Sequence, residues 1–504
     1  MRFAVRALLA SVATVGACAT SGLQYGRDGL APVDHVVRAS LIAGQYGSAY
    51  EAALGKDARL RDRLLRALSV GTLGLYANRT DSSVWALDRA YAIAEDRWSK
   101  RLSNAAASVA VNDYVLPYSP GPTERLFIPF YGALSWLSRG DRDDAAVEAR
   151  RLVQLLGEAP ADSGALAPDE LRGLLHYVAG AVFETAGDRS AAEVAYRNAA
   201  RLVTVPVRRD TSLADSLAGD VVVVLEQGFV GHPAPRDETI WVTRGELSAL
   251  RHAGDDHQLL TAGRVRVREG MLGYGPWYSR RGFAVGLTIK WTEFRDGRAI
   301  ARAISVDATG ASQPLPRGGN VTSAVRTDYE RGGPARFTRA LLRASTRAAL
   351  TKAAGDQLAK AGDDDRGRGP PRVNRADPGR DQVPVFTRPE RTDLRAREKG
   401  DKKDRDVSVV GHVLAGLGLF ALAAAAEVND APDLRSWNLL PHDLRVVRLR
   451  LRAGDQDIRA IVDGEEVVLG HAVVRAGQVT VLSHRLFQAP ARSARVVSAL
   501  SRSR

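Results

Sequence analysis

The sequence predicts an α+β protein, with an N-terminal TPR-like α-solenoid followed by a β-rich, sandwich-like region carrying two helices. Two observations lead to this. From about residue 32 to 206, apolar residues recur at three- and four-residue spacing, as on a helix with one buried face. Beyond Ser216 that period gives way to continuous and alternating apolar runs, punctuated by Asp-Gly and Ala-Gly pairs, which read as strands and turns.

The chain opens with Arg2 and Arg6, a largely apolar run over 7–15, and then Gly16, Ala17 and Cys18. A basic start, an apolar centre and small residues before a cut are the parts of a secretory signal. The run is too short for a permanent membrane span. Cys18 is the one cysteine of the chain, and its setting looks like a bacterial lipobox, where the thiol is acylated and residues 1–17 are removed. Each buried acyl methylene contributes about 0.8 kcal/mol, so several chains on one cysteine give a lasting anchor. A plain secretory signal with an incidental cysteine is the other reading. Residues 18–31 are expected to form a tether. A lone cysteine excludes an intramolecular disulfide, so stability must come from burial.

Internal repetition runs through the helical domain, placed at 32–210. Its clearest unit has Gly180, Phe183, Gly187, Ala192, Tyr196 and Ala199. Small residues there suit close helix crossings, a glycine makes the turn, and aromatics fill gaps, as in a tetratricopeptide (TPR) repeat. Other units have Ala133, Trp136, Gly140 and Ala145, then Gly44, Tyr46, Ala49 and Ala53, and a fourth surrounds Tyr76, Ala86 and Ala90. The stretch 158–168, rich in Pro, Ala, Asp and Gly, reads as an inserted loop. An all-α bundle without repeat geometry is the alternative.

A β-rich domain is expected over 216–361. Residues 221–225 form a continuous apolar run, as in a buried strand, and 264–268 alternate strictly. Segments 283–294 and 299–306 flank Asp296-Gly297, which reads as a hairpin turn. A closing helix is expected over 335–361, with Phe337, Leu341, Ala344 and Ala348 as its apolar stripe. Residues 362–406 hold 13 basic and 11 acidic side chains with few apolar ones, the composition of a disordered linker. The apolar stretch 407–428 reads as a buried helix or as a transmembrane one. The basic cluster Lys399, Lys402, Lys403 and Arg405 favours the buried helix, because an exported N-terminus would put these charges on the outer side. A C-terminal β unit is expected at 433–487, as a small antiparallel meander or one sheet of a sandwich, with Arg448, Arg450 and Arg452 on a solvated or anion-binding face. A basic tail occupies 488–504.

Asn112-Asp113-Tyr114 with Tyr118, Glu124-Arg125, Tyr131-Gly132-Ala133-Leu134, Gly140-Asp141, Ala145, Glu148 and Arg150-Arg151 resemble one family of bacterial envelope lipoproteins. Segment 220–228 and Asp433-Leu434-Arg435-Ser436-Trp437 with Leu440-Pro441 extend the likeness over most of the mature chain. The family is functionally uncharacterised. The resemblance implies a TPR-type half followed by a β-rich half, at the periplasmic face of the outer membrane. Some members are encoded near a lipoprotein that activates a peptidoglycan synthase, which implies cell-wall or envelope assembly.

The formal charge is +13. Export makes anionic envelope material the expected counter-charge rather than nucleic acid. The sequence lacks a nucleophile elbow, HExxH, Walker loop and paired-cysteine metal site. His252 and His257 flank Asp255 and Asp256 at a spacing poor for one helical face, and the stretch reads as a polar turn. The expectation is a non-enzymatic protein with no catalytic residue, cofactor or metal, acting as a lipid-anchored scaffold for an envelope protein partner. A peptidoglycan- or lipopolysaccharide-binding module is the alternative, through Tyr274, Trp277 and Tyr278. Candidate partner- or ligand-contact residues are Glu148, Arg150, Arg151, Trp277 and Trp437. Glu148 is expected to pair with Arg150 or Arg151 across helices, and Trp437 to anchor the last β unit.

Overall fold

The computed structural model describes residues 25–55, 60–103, 117–158, 168–203, 217–243, 284–301, 303–307, 312–315, 318–333, part of 336–353, and 432–490. The signal and Cys18, residues 112–114, the 159–167 loop, His252, His257, 264–268, Trp277 with its aromatic neighbours, 362–428 and 491–504 lie outside the described residues. Leu23–Arg236, Trp291–Arg336 and Pro432–Arg504 form one compact unit, and Met1–Gly22, Asp237–Lys290 and Phe337–Ala431 another. The first holds the elements that matter below.

Helices fill its N-terminal part: α1 (Pro32–Ile42), α2 (Tyr46–Leu54), α3 (Arg63–Tyr76), α4 (Thr80–Ser103), α5 (Pro122–Arg139), α6 (Arg142–Gly157), α7 (Asp169–Thr185) and α8 (Arg189–Leu202). Their ends follow local chemistry. Pro122 opens α5, and the Glu124 carboxylate accepts the Gly121 amide at 2.8 Å. Gly140 ends α5 at φ +99°, a conformation glycine adopts without a Cβ penalty. Asp188 caps α8 by accepting the Ala191 amide at 3.1 Å.

Successive helices pack as hairpins, and three of them share one device. A Cβ on Gly71 of α3 would meet Leu87 of α4 at 2.5 Å; one on Gly132 of α5 would meet Glu148 of α6 at 2.9 Å; one on Gly180 of α7 would meet Tyr196 of α8 at 2.7 Å. Each side chain lies sixteen residues after its glycine and fills the space a Cβ would take. Replacing any of these glycines by alanine would force the facing side chain or its helix to shift.

Strands follow: β1 (Ala218–Gln227), β2 (His232–Thr243), β3 (Ala284–Arg295), β4 (Ile304–Asp307), β5 (Ser312–Pro314) and β6 (Gly319–Asn320), then α9 (Val321–Arg331), then β7 (Asp443–Arg452), β8 (Gly454–Val462), β9 (Glu465–Val474) and β10 (Val479–Leu486). One sheet runs β10-β1-β7-β6, another β5-β4-β8-β9, and β2 pairs with β3. Every residue of β1 is buried. Val222 and Val224 join the helical core, while Val221, Val223 and Leu225 face the core shared with the second sheet. Burial on both faces explains why 221–225 reads as an unbroken apolar run.

Several expectations are corrected. Residues 433–487 are no separate meander: β10 pairs in parallel with β1, β7 pairs antiparallel with β1, and the β8–β9 hairpin belongs to the other sheet with β4 and β5. The twice-buried β1 has two free edges, and strands from the far end of the chain take both. Asp296-Gly297 does not join a hairpin, since β3 pairs with β2 and β4 with β5 and β8. The turn packs instead on residues 229–231, where a Cβ on Gly297 would meet the Phe229 carbonyl at 2.1 Å. Residues 25–31 are not a loose tether: Leu30 and Ala31 are buried, and the Asp28 carbonyl lies 2.9 Å from His232 Nε2. Helix α9 lacks a regular apolar stripe and is absent from the sequence reading; Asn320 caps it by accepting the Ser323 amide at 2.7 Å. In the other unit, the described residues of the expected closing helix are helical, with Ala340, Leu341 and Ala344 buried.

Candidate binding cleft

A cleft of about 1590 Å³ opens beside the helical hairpin ends. The α5–α6 turn gives it Asp141, Arg142, Asp143 and Asp144, the α7–α8 turn and α8 give it Glu184, Arg189, Glu193 and Arg197, and the β9–β10 turn gives Gln478. Its walls thus carry both signs of charge at exposed positions.

Arg448 and Asp220 form its floor, each side chain only 5% exposed. Arg448 Nε donates to Asp220 Oδ2 at 2.9 Å, and its two terminal nitrogens grip Glu184 at 2.9 and 3.1 Å. The Tyr196 hydroxyl donates to Glu184 Oε2 at 2.8 Å and accepts from Arg448 at 3.2 Å. Arg450, directly opposite Asp220 in the β1–β7 register, donates to Asp220 Oδ1 at 3.3 Å. Burial would lower the Arg448 pKa, but the bonds from Glu184 and the pull of its neighbours outweigh it and raise it above the ordinary arginine value. Burial, then Glu184, pushes the Tyr196 phenol up. Arg448 therefore stays charged and Tyr196 neutral. A bidentate arginine between two carboxylates fixes its partners in direction as well as distance. The network ties α7 and α8 to β1 and β7, so a cross-braced floor lies beneath an exposed, charged rim.

This corrects the reading of β7. Arg448 and Arg450 do not form a solvated face; they are buried and ion-paired, because helices cover that face of the sheet, and only Arg452 is exposed. Glu184 went unrecognised in the sequence. Its partner Arg448 lies 264 residues away, and no local pattern links them.

None of the described candidate contact residues, Glu148, Arg150, Arg151 and Trp437, lines the cleft. Trp277 and Cys18 lie outside the described residues. Trp437 is 1% exposed and belongs to the core, which leaves it no surface to offer a partner. Arg150 reaches Asp188 across helices at 3.2 Å. Glu148 pairs within its own helix, with Arg151 at 2.7 Å, and Arg151 carries the link onward to Asp88 of α4 at 3.1 Å. Among the described residues, no group of histidine, cysteine, aspartate and glutamate side chains is placed to hold a metal.

No protein-family model matches the chain, and no curated protein matches it. Among solved structures it matches MamA MSR-1 C2 at 18% identity, over 34% of this chain and 94% of that chain, with a TM-score of 0.15. Among the described residues no helix is long and apolar enough to cross a membrane.

Glu148 gives a pH-dependent prediction. Burial raises its carboxyl from 4.5 to about 7, against the opposing pull of Arg151, and Asp88 adds to the rise. A carboxyl harder to ionise folded than unfolded removes stability as it ionises. The loss begins near the unfolded value, grows up to about 7, and is complete above it. Glu148→Gln mimics the protonated form and should be more stable than the native chain at pH 8 by on the order of 2 kcal/mol, with no advantage at pH 4. Urea midpoints at the two pH values measure this.

Proposed function

We propose that this protein is a lipid-anchored, non-enzymatic scaffold of the bacterial envelope, which holds a protein partner in the cleft between its helical hairpins and its sheet. The carrying observation is the cleft itself: an open concavity with acidic and basic rim residues at the α5–α6 turn and along α8, over a floor locked by Arg448, Glu184 and Asp220. Such a surface selects a partner by charge pattern and pays little to order itself. The recurring glycine and its sixteen-residue partner support TPR-like hairpins for the helical part. The sequence setting of Cys18 supports the anchor, and the likeness to envelope lipoproteins supports a place in wall or envelope assembly. The glycan-binding reading loses the basic strand face, since Arg448 and Arg450 are committed to carboxylates.

A photo-crosslinking residue at Glu193, exposed on the rim, should capture a discrete envelope protein in native cells. Cys18→Ala should release the protein from membranes and reduce that capture. Retention of the variant on membranes would remove the anchor from the proposal; capture of peptidoglycan or lipopolysaccharide alone would replace the scaffold with the glycan-binding module.

A further inference from the structure

A second surface lies on α2, α3 and α4, and shares no lining residue with the cleft. It is a groove of about 560 Å³ with Leu54, Ala67, Val70 and Ala86 along it, and Trp85, Arg63, Arg66 and Arg89 around it. Trp85 is 66% exposed, the most exposed large apolar side chain among the described residues. Arg125, Arg151, Arg435 and Arg448 of this unit are paired with carboxylates; the arginines of the groove are not. Arg66 donates to the Leu54 carbonyl at 2.7 Å, its Nε is buried with no hydrogen-bond partner, and Arg89 sits 5.6 Å from the Trp85 ring centre. Among the described residues no carboxylate lines the groove, and Arg63, Arg66 and Arg89 form no ion pair.

We propose that this groove docks an acidic, amphipathic peptide segment of a protein partner, with one apolar side chain against Trp85 and carboxylates on Arg63 and Arg89. The chemistry fits on both counts. An exposed tryptophan beside a concave apolar floor is an anchor point, since covering the ring removes a large apolar area from water. Three guanidinium groups with no acidic neighbour among the described residues of the groove call for carboxylates, which arginine binds in bidentate fashion. Concavity decides between a peptide and a membrane surface: a flat array of lipid head groups would bridge the groove and leave its floor wet, whereas a side chain fills it. The proposal stands on observations independent of the cleft, so either can fail alone.

The test uses the full chain carrying Cys18→Ala, so that no acyl anchor intervenes. The probes are fluorescein-labelled heptapeptides with glutamates flanking a central leucine, isoleucine, phenylalanine or tryptophan, read by anisotropy. At least one should bind saturably. Trp85→Ala, and separately Arg63→Glu with Arg89→Glu, should each weaken it at least about tenfold, and replacing the peptide's glutamates by glutamine should do the same. These side chains are at the surface, so the urea midpoint should not move. The proposal is overturned if no peptide of the panel binds, if the variants bind as the parent does, or if the glutamine peptides bind equally well. It is also overturned if phosphatidylglycerol vesicles co-sediment with the chain through Trp85 and the two arginines while the peptides do not, which would give this face to the membrane.

Discussion

Arg485→Met should destabilise the helix–sheet unit by about 3–5 kcal/mol, the cost of stripping one partner from a buried charged pair. The Arg485 side chain is 1% exposed and lies 3.8 Å from Glu226, which is 0% exposed. Arg485 donates to the Tyr76 hydroxyl at 2.8 Å and to the carbonyls of Leu439, Gly228 and Leu440 at 2.5, 2.7 and 2.9 Å. The Tyr131 hydroxyl in turn donates to Glu226 at 2.5 Å. Burial raises the Glu226 carboxyl, and Arg485 opposes the rise. Burial would lower Arg485, but Tyr76, Tyr131 and Glu226 outweigh it and hold it protonated. Methionine fills the volume but takes the donor from the Leu439 and Gly228 carbonyls and leaves Glu226 without its counter-charge, while the Leu440 carbonyl keeps the Val230 amide. The cation also lies 5.0 Å from the Phe487 ring centre and 5.5 Å from that of Phe229, so part of the loss is aromatic contact. Adding Glu226→Gln should recover at least about 1 kcal/mol, as expected of coupled neighbours. Urea midpoints of the two single variants and the double variant measure this; strictly additive losses would mean that Arg485 acts through the carbonyls alone.

The residues that hold the two layers together show where sequence reading reaches and where it stops. Local signals carry the helices and β1: Pro122 and Gly140 bracket α5, and five apolar residues in a row mark a strand covered on both faces. The Asp463-Gly464 turn joins β8 to β9, with both residues at positive φ as a tight hairpin requires. Alternation in β7 shows that its two faces differ, yet not which lies inside. An arginine face reads as solvent until its carboxylates are known, and Glu184 and Asp220 come from a helix and a strand far away in the chain. Strand order is equally silent. Nothing near β10 says that it will lie parallel to β1, because that edge becomes available only once the layers assemble. The cleft is a product of that assembly, three turns from distant segments brought to one rim, so its residues carry no joint signature.

Trp437→Ala should cost about 3–5 kcal/mol, the range for truncating a large buried aromatic. Its ring lies 5.7 Å from that of Tyr131, and its backbone amide donates to Glu124 Oε1 at 2.9 Å. The other oxygen of Glu124 accepts from Tyr118 at 2.6 Å and caps α5 through the Gly121 amide. Two residues earlier, Arg435 bridges Asp433 at 2.7 Å and Asp62 at 3.0 Å. One residue later, the Asn438 carbonyl accepts from Arg38 of α1 at 2.9 Å. The segment entering β7 is thus nailed to the helical layer at three points, with the indole as the wedge between them. Trp437 Nε1 has no hydrogen-bond partner, so phenylalanine loses volume but no bond. Trp437→Phe should therefore cost about 1–2 kcal/mol, well under the alanine variant. Thermal and urea unfolding distinguish this from a surface role: a partner-contact tryptophan would leave both midpoints unchanged when truncated, whereas a wedge lowers them in proportion to the volume removed.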